Sequence, residues 1–328
     1  MRTGVVIPYY QRSPGILSSA LESAFSQTSA PDFQIFVVDD SSPVPAEIDV
    51  ATLAPGLRRR ITITRQANGG PGAARNAALD QLPSDIEFIA FLDSDDRWQP
   101  NHLSNGLAAL AQGYDVYFSN LLDFDSPLDY FQRRGGIWRE EHTPIPGMDC
   151  VFEFTGRMSA QILAANFVQM STVIYRRAAA PKLRFRTEFR RAGEDLLYWL
   201  ELASRTNAFC YSTRIEVHYG RGVNVYRSAT SGTEGAFERL RDETKFRRTV
   251  LKEFAREATD YRNARSALRN ARKQFAAELL YRLRRTRSID LAAINAQWRL
   301  DPWSVLALPV NCTRCAADWF ASTRAAPR

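Results

Sequence analysis

Four short apolar runs near the start of the chain each break off into a cluster of polar side chains. Gly4–Tyr9 ends in Pro8-Tyr9-Tyr10, and Phe33–Val38 ends in Asp39-Asp40. Ile61–Arg65 runs into Arg65–Gly70, and Ile86–Leu92 stops at Asp93, Asp95 and Asp96. Runs of this length and composition read as strands, and continuous apolar character means burial on both faces. Helical patterns separate them. Ser13-Pro14 reads as an N-cap followed by a first-turn proline, with Ile16, Leu17, Ala20, Leu21, Ala24 and Phe25 on one stripe behind it. A short helix is expected after Pro45, an Ala-rich one over 73–82, and another from about Pro100 to Ala111. Strand alternating with helix predicts a parallel α/β sheet. Ligands of open α/β sheets bind outside the carboxyl ends of the strands, where all four polar clusters would meet.

The chemistry of those clusters is specific. Carboxylates crowded at one strand end repel one another unless a cation sits among them, and a hard divalent ion with oxygen ligands suits that place. Asp96 has a second reading, as the cap of the helix near Pro100. Asp39 or Asp40 can accept hydrogen bonds from a base edge or a ribose. Gly69-Gly70-Pro71-Gly72 lets backbone approach a ligand, with free N–H groups on the helix that follows and Arg75 and Asn76 in its first turns. Together these suit a nucleotide diphosphate whose charge a metal neutralises.

After Tyr114 the pattern loosens. Short strands are expected at Val116–Ser119, Leu121–Phe124, Thr172–Tyr175, Phe209–Tyr211 and Ile215–Tyr219, and helices at Met158–Ala165 and Glu194–Ala203. From Phe237 to about Arg287 the chain reads as one long basic helical stretch. Glu194 and Asp195 open a helix, so they serve either its dipole or proton transfer.

In order along the chain, Val5-Val-Ile-Pro-Tyr-Tyr10, Val37-Val-Asp-Asp-Ser-Ser42, Asn68-Gly-Gly-Pro-Gly-Ala-Ala-Arg-Asn76, Phe91-Leu-Asp-Ser-Asp-Asp96 and Gly193-Glu-Asp195 resemble the family 2 glycosyltransferases of the GT-A fold. The resemblance covers about residues 1–230. It implies an α/β fold, a Rossmann-like mixed sheet that binds nucleotide-diphosphate sugars, carrying a mostly helical C-terminal extension. Domain bounds of 1–232 and 233–328 follow from where the motifs stop. Carried over by position, Pro8, Tyr10 and Asp39 line the base pocket, with Asp39 on uracil. Asp40, Gly69 and Arg75 flank base and ribose, Asp93 approaches ribose or metal, and Asp95 binds Mg²⁺ or Mn²⁺. Asp195 is the general base of an inverting displacement, taking the proton of an acceptor hydroxyl from a saccharide or lipid-linked saccharide. Secondary candidates are His218 for metal or diphosphate, Arg227 for a phosphate, and Asn166, Gln169 and Trp199 facing the acceptor. The Pro43 after Ser42 departs from the family pattern. The resemblance points to surface polysaccharide or glycolipid assembly with a UDP-sugar donor. The rivals are a nucleotidyltransferase, which wants a Gly-rich loop where Pro8-Tyr-Tyr-Gln-Arg12 stands, and a non-catalytic scaffold.

Charge is uneven along the chain. The net charge is +7, yet residues 236–328 alone carry 20 Lys/Arg against 10 Asp/Glu. A basic tail seeks something anionic or another copy of itself. Arg262, Arg265, Arg269, Arg272 and Lys273 recur near helical spacing beside Leu268 and Phe275, which predicts peripheral attachment to the inner face of a membrane, or a homodimer through these helices. Nucleic acid is not an expected partner. No run is long enough to span a bilayer and no signal peptide precedes Pro8, so a cytoplasmic protein is expected. Four cysteines are too few for a disulfide framework, and Cys312-Thr-Arg-Cys315 lacks the second pair a zinc site needs.

Overall fold

The fold was examined in a computed structural model, which describes residues 2–28, 32–137, 141–223, 229, 231–233 and 235–324. Two compact units emerge. One comprises the described residues of 1–190 and 194–223, the other those of 191–193 and 224–328.

The first unit is built on one sheet. In chain order its elements are β1 (Thr3–Tyr9), α1 (Ile16–Phe25), β2 (Phe33–Asp39), α2 (Ala46–Val50), α3 (Pro55–Arg58), β3 (Ile61–Arg65), α4 (Pro71–Gln81), β4 (Phe88–Phe91), β5 (Arg97–Trp98), α5 (His102–Ala111), β6 (Val116–Asp123), α6 (Tyr130–Arg133), β7 (Thr143–Pro144), β8 (Val151–Glu153), α7 (Met158–Ala164), β9 (Val173–Arg176), α8 (Glu194–Ala203) and β10 (Phe209–Tyr219). Strand order is β3-β2-β1-β4-β9-β6-β10-β8-β7, with β5 paired to β10. The β3, β2, β1 and β4 strands run parallel, while β9 enters antiparallel between β4 and β6. Register sets Tyr9, Asp39 and Arg65 side by side at the carboxyl ends. The apolar strands are buried as their composition requires, with Val5, Val6, Ile7, Ile35, Phe88 and Phe91 among the core.

Several sequence expectations give way to longer-range contacts. The first helix does not start at Ser13-Pro14. It starts at Ile16, because the buried Asp49 carboxylate accepts from the Gly15 and Leu17 amides at 2.7 and 2.9 Å. A side chain from another helix has taken over the capping role. Val116–Ser119 and Leu121–Phe124 form one strand, as do Phe209–Tyr211 and Ile215–Tyr219, the latter with register shifts between Ser212 and Val217. The helix after Pro100 begins at His102 with Asn101 as its cap residue, so Asp96 does not cap it. Trp199 does not face an acceptor. It is buried against Phe91 and Tyr198 in an aromatic cluster that includes Tyr175 and Phe185.

The second unit is helical: α9 (Ala236–Glu253), α10 (Ala258–Thr286), α11 (Leu291–Leu300), α12 (Pro302–Leu306) and α13 (Leu308–Arg324). The single helix expected over 237–287 is two, because the Glu257 amide donates to Asp260 and starts a new helix there. Leu268 and Phe275, expected on a membrane-facing stripe, are core residues. Arg272 is not available to a lipid surface either, since it forks onto Asp301 at 2.7 and 2.8 Å. No described helix is long and apolar enough to cross a membrane.

Candidate functional site

The carboxyl rim of the parallel strands carries three acidic groups with different tasks. On β2, Asp39 is fully buried. Its carboxylate accepts from the Ser42 amide at 2.7 Å and the Ala46 amide at 3.1 Å. Asp40 does the same for the next loop, accepting from the Gly69 amide, the Gly70 amide and Gln66 at 2.7, 2.8 and 2.8 Å. The Gly69 and Gly70 amides are therefore engaged by Asp40. Gly70 takes φ +87°, a left-handed value that suits glycine at the start of α4. The Asp-Asp pair thus fixes both loops of the rim, while Pro8 and Tyr10 stand half-buried at the end of β1.

The second group surrounds Arg75, which α4 points inward. Arg75 is 4% exposed and donates to Asp93 Oδ1 at 2.7 Å, with Glu194 at 3.7 Å and the Phe185 ring beneath it. Burial opposes its charge, but Asp93 and Glu194 outweigh burial and hold its pKa above the ordinary value. The α8 N-terminus supplies Glu194 and Asp195. Burial, then the neighbouring Asp195, pushes Glu194 up to about 8, and Arg75 pulls the other way. Burial likewise raises Asp195, against hydrogen bonding from the Leu196 amide and the charge of Arg75. Strand end and helix start therefore bring together Arg75, Asp93, Glu194 and Asp195, four residues that sequence position alone scatters over 75–195. Tyr130, Gln169 and Asn166 form a polar cluster within electrostatic reach of Asp195: Gln169 donates to the Tyr130 hydroxyl at 2.8 Å, and that hydroxyl to the Asn166 carbonyl at 3.2 Å.

Glu194 predicts a pH signature. Its folded pKa is raised from 4.5 to about 8, so its contribution to stability is whole below about pH 4.5 and is lost as pH rises through about 8. Glu194→Gln is expected to be as stable as wild type near pH 5 and more stable near pH 8.5. Urea unfolding at both values checks this, and parallel pH profiles for the two proteins would refute it.

The third cluster holds Asp95. Gly222 donates its amide to Asp95 Oδ2 at 2.8 Å, and Gly220 donates to Asp96 Oδ1 at 2.8 Å. Asp96 is buried, also accepts from the Ser171 hydroxyl, and is raised well above the ordinary carboxylate value by burial and then by Asp95 and Asp93. Gln11 joins the pieces: its side-chain amide donates to Ser94 at 3.0 Å and accepts from the Val223 amide at 3.0 Å. The backbone after β10 thus lies directly on the Asp95 loop. A Cβ at Gly220 would fall 1.4 Å from the Asp95 carbonyl oxygen. Gly220→Ala must displace backbone, so a lower melting temperature is expected, and an unchanged one would count against this close approach. His218 Nε2 lies 2.5 Å from the Gln99 side-chain amide. Arg227 lies outside the described residues.

Sequence reasoning missed Gln11, Ser171 and Glu216. Glu216 is fully buried and accepts from Tyr117 at 2.7 Å and Asn105 at 2.8 Å, with His102 Nδ1 at 3.1 Å. It anchors β10 to α5 and so sets where Gly220 and Gly222 arrive. No local pattern marks any of these, although the paired glycines of Gly220-Arg-Gly222 signal a close approach.

A divalent cation can be tested against the donors present. Among the described residues no group of three or more His, Cys, Asp or Glu side chains could hold a metal ion. Asp93 and Asp95 do offer half-buried hard oxygen donors. Mg²⁺ characteristically takes one or two carboxylates and completes its shell with water and substrate phosphates, so these two fit it.

Residues 4–180 match the model of "Glycosyl transferase family 2". The chain is 38% identical over 227 residues to the succinoglycan biosynthesis protein ExoW of Rhizobium meliloti (strain 1021), covering 68% of this chain and 70% of that protein. Among solved structures, residues 1–349 of Staphylococcus aureus TarS in complex with UDP-GlcNAc align with TM-score 0.63 at 18% identity, covering 98% of this chain and 92% of that one. The mannosyltransferase PcManGT of Pyrobaculum calidifontis, in complex with GDP-Man and Mn²⁺, aligns with TM-score 0.52 at 14% identity, covering 96% of this chain and 86% of that one.

Proposed function

The chain belongs to glycosyl transferase family 2 and is a glycosyltransferase of the GT-A fold; from that premise we propose that it moves a sugar from a UDP-sugar, with inversion, to a hydroxyl of a saccharide or lipid-linked saccharide during cell-surface polysaccharide synthesis. The observation that carries the reading is the convergence of Asp93, Glu194 and Asp195 on Arg75 at the carboxyl rim. Kinship with a succinoglycan biosynthesis protein supports the polysaccharide product, and the TarS complex with UDP-GlcNAc supports the donor class.

The roles follow from position. Pro8, Tyr10 and the turns set by Asp39 and Asp40 frame the nucleoside base, with Gly69 beside it. Asp93 faces ribose and diphosphate, and Arg75 fixes its carboxylate. Asp195 accepts the proton of the acceptor hydroxyl as its oxygen bonds to the anomeric carbon. The bond from that carbon to the diphosphate oxygen breaks on the opposite face, and the nucleoside diphosphate leaves with the electron pair. A cation on Asp95, with Asp93 alongside, would neutralise charge on the leaving diphosphate. Glu194, raised to about 8, is mostly protonated at neutral pH and is not the base in this reading.

The test is a UDP-sugar panel with Mn²⁺ or Mg²⁺ and an oligosaccharide acceptor, reading nucleoside diphosphate release and the anomeric configuration of the product. Release of UDP with an inverted linkage supports the reading. Pyrophosphate release, or retention of configuration, overturns it.

A further inference from the structure

The last three helices of the second unit are amphipathic the wrong way round for a free surface. Their buried positions are polar: Gln297 is 1% exposed, Ser304 0% and Asn311 8%, spaced seven residues apart. Their exposed positions are apolar: Leu291 is 72% exposed and Trp303 65%, with Trp298, Leu306 and Val310 also open. Residues 303 and 306 share one face of α12 by their spacing, and Val310 is exposed in the first turn of α13. The helices cannot simply roll to cover it. Gln297 donates to Thr244 at 3.1 Å and to Ser304 at 3.0 Å, Ser304 donates to Asp301, and Arg272 forks onto the same carboxylate. That buried network pins Gln297, Asp301 and Ser304 inward, and such a buried bonded network is costly to break. Five large apolar side chains exposed within residues 291–310, two of them tryptophan, mark a contact surface rather than a solvated one.

We propose that this face, centred on Trp303 and Leu306, is a docking surface for an anionic lipid bilayer. Charge selects the occupant. Between residues 281 and 324 three acidic residues, Asp290, Asp301 and Asp318, stand against seven arginines. Asp290 caps α11 through the Ala293 amide at 2.8 Å, and Asp301 is held by Arg272. Arg299 and Arg314 are exposed among the apolar side chains, and Arg287 is exposed beside Ile289. Cations around an apolar face with tryptophan fit the headgroup boundary, where the indole sits at the interface and arginine meets lipid phosphate. A second copy of the face would instead bring like charges together. With no described helix able to span a bilayer, the helices lie on the surface, apolar side down. This surface is not the Arg262–Lys273 stripe that helical spacing suggested, whose apolar members are core.

Flotation of the full chain with phosphatidylcholine vesicles, with and without phosphatidylglycerol, tests the proposal. Wild-type protein is expected to float with the anionic vesicles alone, with a blue shift of tryptophan emission and loss of binding in high salt. Trp303→Ser/Leu306→Ser is expected to lower the bound fraction at least about tenfold while keeping its circular dichroism and its sugar transfer to a soluble acceptor. Arg299→Glu/Arg314→Glu, which leaves the apolar side chains in place, should abolish the preference for anionic lipid even if the first variant folds poorly. The proposal is overturned if wild-type protein stays unbound to both vesicles, if both variants float as wild type does, or if sedimentation velocity shows a dimer that the Trp303→Ser/Leu306→Ser variant separates while no vesicle binds.

Discussion

Asp195→Asn is expected to lower kcat for sugar transfer by about 10²–10⁴-fold, the range that removal of a positioned base costs, with little effect on the KM for the donor. Asparagine keeps the size and polarity of the side chain and can still accept from the Leu196 amide, which donates to Asp195 Oδ1 at 2.7 Å. What it loses is the ability to take a proton from the attacking hydroxyl. The residue sits at the N-terminus of α8 with Arg75 and Asp93 within electrostatic reach. Burial lifts its pKa above the ordinary carboxylate value, against the Leu196 amide and the charge of Arg75, which strengthens it as a base. Glu194→Gln is the control. Glu194 is raised to about 8, so at pH 7 a neutral glutamine resembles the state already present. That variant should keep activity to within about tenfold. Were Glu194→Gln the dead enzyme and Asp195→Asn the active one, the two acids would have to exchange roles.

The parallel core was legible because it needs only local information. A short continuous apolar run such as Val5-Val-Ile7 or Phe36-Val-Val38, rich in β-branched residues, reads as a strand buried on both faces, and β1, β2 and β4 appear where such runs stand, with β3 at the alternating run Ile61–Arg65. Glu194–Ala203 was legible from its spacing and acidic start for the same reason. What escaped depends on partners far along the chain. Nothing near Asp49 announces that it caps α1, and nothing near Glu216 announces three donors from β6 and α5. Bulges defeat period counting as well: the shift between Ser212 and Val217 breaks the alternation, so one strand read as two. The rim acids show a subtler limit. Carboxylates at strand ends are drawn there by backbone amides as readily as by ligands, and Asp39 and Asp40 satisfy amides first. In the second unit the usual inference from polarity to exposure fails outright, since Gln297 and Ser304 are inside and Trp303 is outside.

Arg75→Met is expected to cost about 3–5 kcal/mol of stability, the range for removing one partner of a buried ion pair, and to move the pH optimum of transfer upward. Methionine fills much of the aliphatic volume over the Phe185 ring, so the loss is mainly one of charge. Asp93 then stands without the guanidinium at 2.7 Å, and Glu194 without its neighbour at 3.7 Å. Arg75 is a cause that lowers the pKa of both Glu194 and Asp195. Removing it lets both carboxyls hold protons to higher pH in the folded state. Raised folded pKa values mean stability that is present at low pH and lost as pH rises, so the variant should be closest to wild type near pH 5 and furthest from it near pH 8.5. A proton held to higher pH on Asp195 opposes its action as a base, so the ascending limb of the kcat profile should shift to more alkaline pH. Arg75→Lys would keep one charge but lack the planar fork that meets two carboxylates, so only partial recovery of stability and of the pH profile is expected. A merely steric role for Arg75 would predict equal losses at every pH and no movement of the kcat limb; urea unfolding and initial rates across pH 5 to 9 separate the two.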